Sequence, residues 1–238
     1  MKVGDNISVE KANWSFSGDT VKNFDSHVSK SVPLYDEGHD LICDISEFFV
    51  KSDSVNYEIG CSTGSLTFKL AEHNQHKPMA KFVGIDIEKD MIDFAENSKK
   101  NIKGLNVDFF DADILEFDLE PTDLIVCYYT VQFIRPARRQ ELIKKLYDHL
   151  NWGGALVMFE KTRGADARFQ DILTTLYTDY KLRQGYTPDD IVSKTSSLKG
   201  VLEPFSTKGN IDMLQRAGFN DINIIQKYIC FEGFLAIK

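Results

Sequence analysis

Cysteine is scarce and unpaired in this sequence: Cys43, Cys61, Cys127 and Cys230 form no CxxC motif and no spacing that resembles a disulfide framework. Free thiols in a reducing cytoplasm are the expectation. The opening MKVGDNISVEKANW has no apolar stretch of the kind a secretion signal needs, and no apolar run approaches the length that spans a bilayer. Tracts rich in proline or glycine, low-complexity segments and internal repeats are absent, so no linker divides the chain. Positive charge is in deficit, with 28 Lys and Arg against 36 Asp and Glu for a net −8. That balance argues against a phosphate-binding field over the whole surface, and direct nucleic-acid binding is not expected. His73 and His76 sit on one expected helix face, but no third ligand is near in sequence. They read as surface residues, and no metal is expected.

The chain has 238 residues, 42% of them hydrophobic, which suits one α/β domain with a helical cap. From residue 55 onward strands and helices alternate. VNYEI (55–59), KFVGIDI (81–87), VDFF (107–110), DLIVCYY (123–129) and ALVMFE (155–160) read as strands. Helices are expected from about Ser65 to His73, from near Lys89 with Met91, Ile92 and Ala95 buried, and over ARRQELIKKLYDHL. The last of these places Leu142, Leu146 and Leu150 on one stripe, and NWGG ends it. Short apolar strands between helices indicate a parallel sheet covered on both faces. INIIQKYI and FEGFLAIK, close together at the end, should pair antiparallel. Residues 1–54, a loose start followed by helices, and about 165–200, with Phe169, Ile172, Leu173, Leu176, Tyr177 and Tyr180 at helical spacing, form the expected cap over the carboxyl edge of the sheet.

Strand ends deliver an ordered set of carboxylates to that edge: Glu58 from the first strand, Asp86 from the second, Asp113 after the third. Between the first strand and its helix lies Gly60-Cys61-Ser62-Thr63-Gly64. A dinucleotide site would have G-x-G-x-x-G there, to bring pyrophosphate onto the helix N-terminus. Ser62 stands where the middle glycine belongs. S-adenosylmethionine (SAM), which has no phosphate, suits the turn better. Its ribose hydroxyls want a carboxylate acceptor, the role expected of Asp86. Asp113 is placed to accept from the adenine amino group, and Glu58 to favour the cationic end of the ligand. Any one of these acids could equally answer a helix dipole; the ordered set together with the small-residue turn points to the cofactor.

The ladder, LNWGGALV before the fifth strand, LQRAGF before the sixth and the terminal antiparallel strand resemble class I SAM-dependent methyltransferases. Closer still, NWSF (13–16), SVPLY (31–35), IGCSTGS (59–65), GID (84–86), TVQFI (130–134), LNWGGALVMFEK (150–161), GYT (185–187) and AGF (217–219) resemble the carboxy-SAM synthase branch, which serves tRNA uridine-5-oxyacetate modification. The likeness runs from about Asn13 to the C-terminus. It implies a Rossmann-like class I methyltransferase fold, with a seven-stranded, mostly parallel sheet and a C-terminal antiparallel strand. It also implies a homodimer, and contacts to the SAM-type ligand from Tyr35, Gly60, Cys61, Ser62, the Asp86–Ile87 pair and the Asp113–Ile114 pair. Gly64 closes the same turn. In this branch Ser62 is the usual residue.

The sequence departs from the branch at Tyr128, where members carry a ligand-contacting Asn, and at Thr195, where they carry an Arg that clamps the extra carboxylate. A hydroxyl does not replace a bidentate guanidinium. Lys194 and Arg183 are the nearby cations. On this ground the scaffold is expected to be kept and the carboxyl chemistry lost. What remains is a SAM-dependent methyltransferase acting on a small-molecule acceptor, with specialised metabolite biosynthesis as the expected setting and S-adenosyl-L-homocysteine as product. Carboxy-SAM synthesis from SAM and prephenate through Lys194 or Arg183, and a SAM-binding partner protein without catalysis, stand as alternatives. For methyl transfer, Tyr128 and His27 are the catalytic candidates, and Tyr129, Tyr186, Lys194 and Thr195 the candidate acceptor wall.

Overall fold

The computed structural model describes Val3, Ala12, Trp14, Phe16 and residues 18–238. Most of the expected loose start, including Asn13 and Ser15 of NWSF, lies outside the described residues. Two helices lead in, α1 (Asp19–Ser31) and α2 (Tyr35–Phe49). The alternation follows as β1 (Val55–Ile59), α3 (Ser65–His73), β2 (Lys81–Asp86), α4 (Lys89–Lys99), β3 (Val107–Asp111), β4 (Thr122–Tyr128), α5 (Pro136–His149) and β5 (Leu150–Lys161). The chain closes with α6 (Ala167–Arg183), α7 (Pro188–Ser197), α8 (Thr207–Ala217), β6 (Asp221–Tyr228) and β7 (Phe231–Ile237). Among the described residues no helix is long and apolar enough to cross a membrane.

The sheet has seven strands in the order β3-β2-β1-β4-β5-β7-β6. All run parallel except β7, which lies antiparallel between β5 and β6. This is the Rossmann-like class I methyltransferase sheet that the resemblance implies. β1 and β4 are neighbours although the chain visits β2 and β3 between them. Their carboxyl ends therefore flank the point where strand order reverses, where open α/β sheets leave a crevice for ligands. β4 is buried along its whole length. Leu124, Val126 and Tyr128 face one apolar layer with Ile42 and Leu70, while Ile125 and Cys127 face the other with Leu142, Leu146 and Leu214.

Strand five is longer than its apolar run. The backbone of Lys238 pairs with Gly153 and Gly154 through N–H···O bonds of 2.9 and 3.0 Å. The NWGG segment is thereby recruited into β5, although its glycines read as a helix stop. Residues 165–200 divide into α6 and α7, and α6 leaves Phe169, Ile172 and Leu176 exposed.

Two buried contacts position the site. Glu58 on β1 points into the layer under α3 and accepts a hydrogen bond from the Thr67 hydroxyl. Burial pushes its carboxyl up to about 8, with the Asp86 charge adding in the same direction. Tyr128, at the end of β4, reaches across to α2, where its hydroxyl donates to the Tyr35 carbonyl at 2.6 Å. A glycine in the middle of a helix is ordinarily unfavourable. Gly38 is required here because a Cβ on it would sit 2.2 Å from that hydroxyl.

Each contact makes a prediction. Between its ordinary value of 4.5 and about 8, Glu58 is protonated in the folded chain and ionised in the unfolded one. Its contribution to stability is therefore present at low pH and is lost as pH rises through that window, by at most about 1.4 kcal/mol per pH unit. Urea unfolding should find Glu58→Gln gaining on the wild type as pH rises; parallel pH profiles would contradict the assignment. Gly38→Ala should destabilise by about 1–3 kcal/mol through overpacking. In a Tyr128→Asn background the same change should become neutral or stabilising, since alanine is the better helix former.

Candidate active site

The first βα turn is built by backbone conformation. Gly60, Ser62 and Gly64 all have positive φ, at 73°, 49° and 77°. A Cβ on Gly60 would meet Thr130 at 2.4 Å, and one on Gly64 would meet the Phe109 ring at 2.7 Å. Ser62, by contrast, adopts the left-handed region as a non-glycine, and its N–H donates to Asp86 Oδ2 at 2.8 Å. The Gly60 and Cys61 N–H groups both donate to the Ile85 carbonyl, at 2.7 and 3.1 Å, and that of Gly64 to the Cys61 carbonyl at 2.8 Å. These donors are consumed inside the fold. These four N–H groups are therefore not available to a pyrophosphate, yet the turn still offers close backbone approach.

The turn borders a cavity of about 900 Å³ at the carboxyl ends of β1, β2, β4 and β5, roofed by α1, α6 and α7. One half is acidic. Glu58, Asp86 and Asp113 line it together with Gly60, Cys61, Ser62, Ile87 and Ile114. Asp86 also accepts from the Glu88 N–H at 2.9 Å, and burial raises its carboxyl. Each of its oxygens keeps a lone pair for a further donor. Asp113 is exposed and caps the Leu115 N–H at 2.9 Å. Ile87 is 66% exposed at the cavity edge, an apolar surface that a flat ring would cover. Carboxylate acceptors, an apolar ledge and a phosphate-free turn fit the nucleoside of SAM. Gly64 is not part of the lining; it gives the turn its close packing on Phe109.

The other half is aromatic and cationic. Tyr35, Tyr128 and Tyr129 form a contiguous wall, with ring centroids 5.0 Å apart for Tyr35–Tyr128 and 4.7 Å for Tyr128–Tyr129. Neither expected catalytic residue is placed to move a proton. The Tyr128 hydroxyl is spent on the Tyr35 carbonyl, and burial raises it further from ionisation. His27 lines the cavity, but its Nε2 accepts from Lys194 Nζ at 2.6 Å, while Nδ1 lies 3.4 Å from the Tyr186 hydroxyl. It acts as a holder for Lys194. Tyr186 supports His27 from behind and is not itself part of the lining.

Lys194 does enter the cavity wall, also donating to Ser31 Oγ at 3.0 Å. Thr195, the next residue on α7, is exposed on the outside of the helix, and Arg183 is likewise exposed away from the lining. The expected acceptor wall thus keeps Tyr129 and Lys194 and loses Thr195 and Tyr186. Lys161, at the end of β5, also lines the cavity. It closes the LNWGGALVMFEK stretch shared with the synthase branch, but nothing in that stretch marks it for the site; its place at a strand's carboxyl end does.

A family profile described as "Methyltransferase domain" matches residues 57–156. The solved structure of magnesium protoporphyrin IX methyltransferase from Synechocystis, with bound SAH, superposes with a TM-score of 0.67 at 12% identity, covering 94% of this chain and 96% of that one. An O-methyltransferase family protein from Burkholderia thailandensis gives 0.64 at 15% identity, over 94% and 61% of the two chains. At these identities the likeness establishes the fold. Sequence relatives go further. A Campylobacter jejuni protein named carboxy-S-adenosyl-L-methionine synthase is 38% identical over 96% of this chain and 95% of its own. Proteins of the same name from Nautilia profundicola and Staphylococcus epidermidis are 36% and 35% identical, over 98% and 94% of this chain. These end-to-end relatives overturn the expectation of a methyltransferase acting on a small-molecule acceptor, which rested on the missing Arg at Thr195. With a SAM-binding methyltransferase fold and relatives of one name along nearly its whole length, the chain belongs to the carboxy-S-adenosyl-L-methionine synthase family.

Proposed function

We propose that this protein makes carboxy-SAM from SAM and prephenate. What carries the reading is the pairing of relatives of that name along the whole chain with a cation, Lys194, inside the cavity. Lys194 supplies the charge that other members place one position later. Its ammonium is steadied by His27 Nε2, by Ser31 Oγ and by the Trp14 ring at 5.2 Å. A point charge fixed by such contacts can hold a carboxylate, without the bidentate geometry of a guanidinium.

The net chemistry balances without an external oxidant. The sulfonium methyl exchanges one C–H bond for a C–C bond to the transferred carboxyl carbon. Prephenate loses its ring carboxylate and its ring hydroxide and becomes aromatic phenylpyruvate. The methyl proton and the hydroxide leave as water. SAM supplies the methyl carbon and, through its positive sulfur, that carbon's acidity. The chain's own part is to bind and orient. Asp86 accepts from the ribose, Asp113 and Ile87 flank the base, and Glu58, held neutral by burial, shapes the turn; the tyrosine faces favour the cationic sulfur. Lys194 holds the carboxylate beside it, so that the reacting carbons are aligned.

Incubation with SAM and prephenate should give a carboxylated sulfonium nucleoside by mass spectrometry, together with phenylpyruvate. Lys194→Met should lower its formation roughly tenfold or more while leaving SAM affinity close to that of the wild type. Methyl transfer to an acceptor, with S-adenosylhomocysteine as the nucleoside product and no carboxylated species, would sink the reading.

A further inference from the structure

A second ammonium lines the cavity at the carboxyl end of β5. Lys161 Nζ lies 4.4 Å from the centroid of the Tyr177 ring and 5.8 Å from that of Phe231. Lys181 Nζ, from α6, lies 4.4 Å from the same Tyr177 centroid. Among the described residues no carboxylate lies within ion-pair distance of either lysine. Burial and mutual repulsion pull Lys181 down to about 8, and burial lowers Lys161. Tyr129, on the same wall with its ring 5.8 Å from that of Phe231, has a buried hydroxyl with no hydrogen-bond partner among the described residues. Cations without a counter-charge and an orphaned donor are costly in a folded interior. Gathered beside a cavity, they mark a place for an anion. Arg135 and Arg138 are exposed at the rim, and Arg138 already pairs with Glu141.

The Lys161 and Lys194 ammonium groups are linked by a short relay. Lys194 donates to Ser31 Oγ, the Tyr177 hydroxyl donates to the Ser31 carbonyl at 2.8 Å, and Lys161 sits over the Tyr177 ring. Prephenate carries two carboxylates, of which only the ring carboxylate is transferred. We infer that Lys161, with Tyr129 as second donor and Lys181 behind it, binds the side-chain pyruvyl carboxylate that stays on the co-substrate, and so selects a dicarboxylate that bears a pyruvyl side chain. This rests on the carboxylation reading of the same site. It divides the labour between the lysines, with Lys194 on the carboxylate that moves and Lys161 on the one that does not.

The test is calorimetric titration of sodium phenylpyruvate into the protein saturated with S-adenosylhomocysteine. The wild type should bind. Lys161→Met should weaken binding roughly tenfold or more, and Lys161→Arg should recover part of the loss. The Met variant should melt at or above the wild-type temperature, because one of the two unpaired ammonium groups is then gone and Lys181 no longer faces a like charge. In turnover, Lys161→Met should raise KM for prephenate more than it lowers kcat and leave KM for SAM unchanged. Tyr129→Phe should raise the same KM without loss of stability. No phenylpyruvate binding by the wild type, or equal binding by Lys161→Met, overturns the assignment. Lys161-dependent binding in a protein that forms no carboxy-SAM would uphold the subsite and dismiss the carboxylation reading; carboxy-SAM formation with unchanged Lys161→Met kinetics would do the reverse.

Discussion

The Asp86 carboxylate on the Ser62 N–H is the contact on which the site depends. It joins the end of β2 to the first βα turn and holds Ser62 in the left-handed region, which a non-glycine rarely visits. With the paired donation of Gly60 and Cys61 to the Ile85 carbonyl, it engages three successive N–H groups of the turn before a ligand arrives. A loop closed in this way gives steric access without an anion cradle. That property separates a SAM site from a dinucleotide site built on the same sheet.

Strand order then sorts the charges. β1 and β2 lie on one side of the switch point and bring Glu58 and Asp86; β4 and β5 lie on the other and bring the tyrosines and Lys161. The cavity is acidic where a sulfonium nucleoside belongs and basic where a dianionic co-substrate belongs. A methyltransferase for a neutral acceptor has no use for two buried ammonium groups, Lys161 and Lys181, with no carboxylate near them. An enzyme that handles a dianion does.

Much of this layout was legible in the residues. The strand and helix alternation, the acidic ladder and the likeness to the synthase branch stand in the order of short motifs. What was not legible depends on rotation and long-range contact. Thr195 and Lys194 are neighbours in sequence, but one helical step turns a side chain by about 100°, so Lys194 reaches the cavity and Thr195 faces away. The missing Arg at Thr195 points to methyl transfer, whereas the cation that faces the cavity is one residue earlier. The Tyr128 hydroxyl is taken by a carbonyl on α2, far away in sequence, and Gly38 is the only local trace of that contact. NWGG has the composition of a helix stop, and only pairing with the chain end at Lys238 turns it into strand. Lys161 ends the LNWGGALVMFEK stretch, but that stretch does not mark it as a site residue. Its role follows from topology, which puts the end of β5 at the ligand edge.

The account's central claim is that the cavity is polarised, with the nucleoside on the acids of β1 and β2 and the carboxylates on the lysines. The measurement that bears on it most directly is a crystal structure of the protein with carboxy-SAM bound. The account predicts the ribose hydroxyls on Asp86 and the carboxylate within hydrogen-bond distance of Lys194 Nζ. A carboxylate turned toward solvent or toward Thr195, with Lys194 still closed on His27 and Ser31, would contradict it.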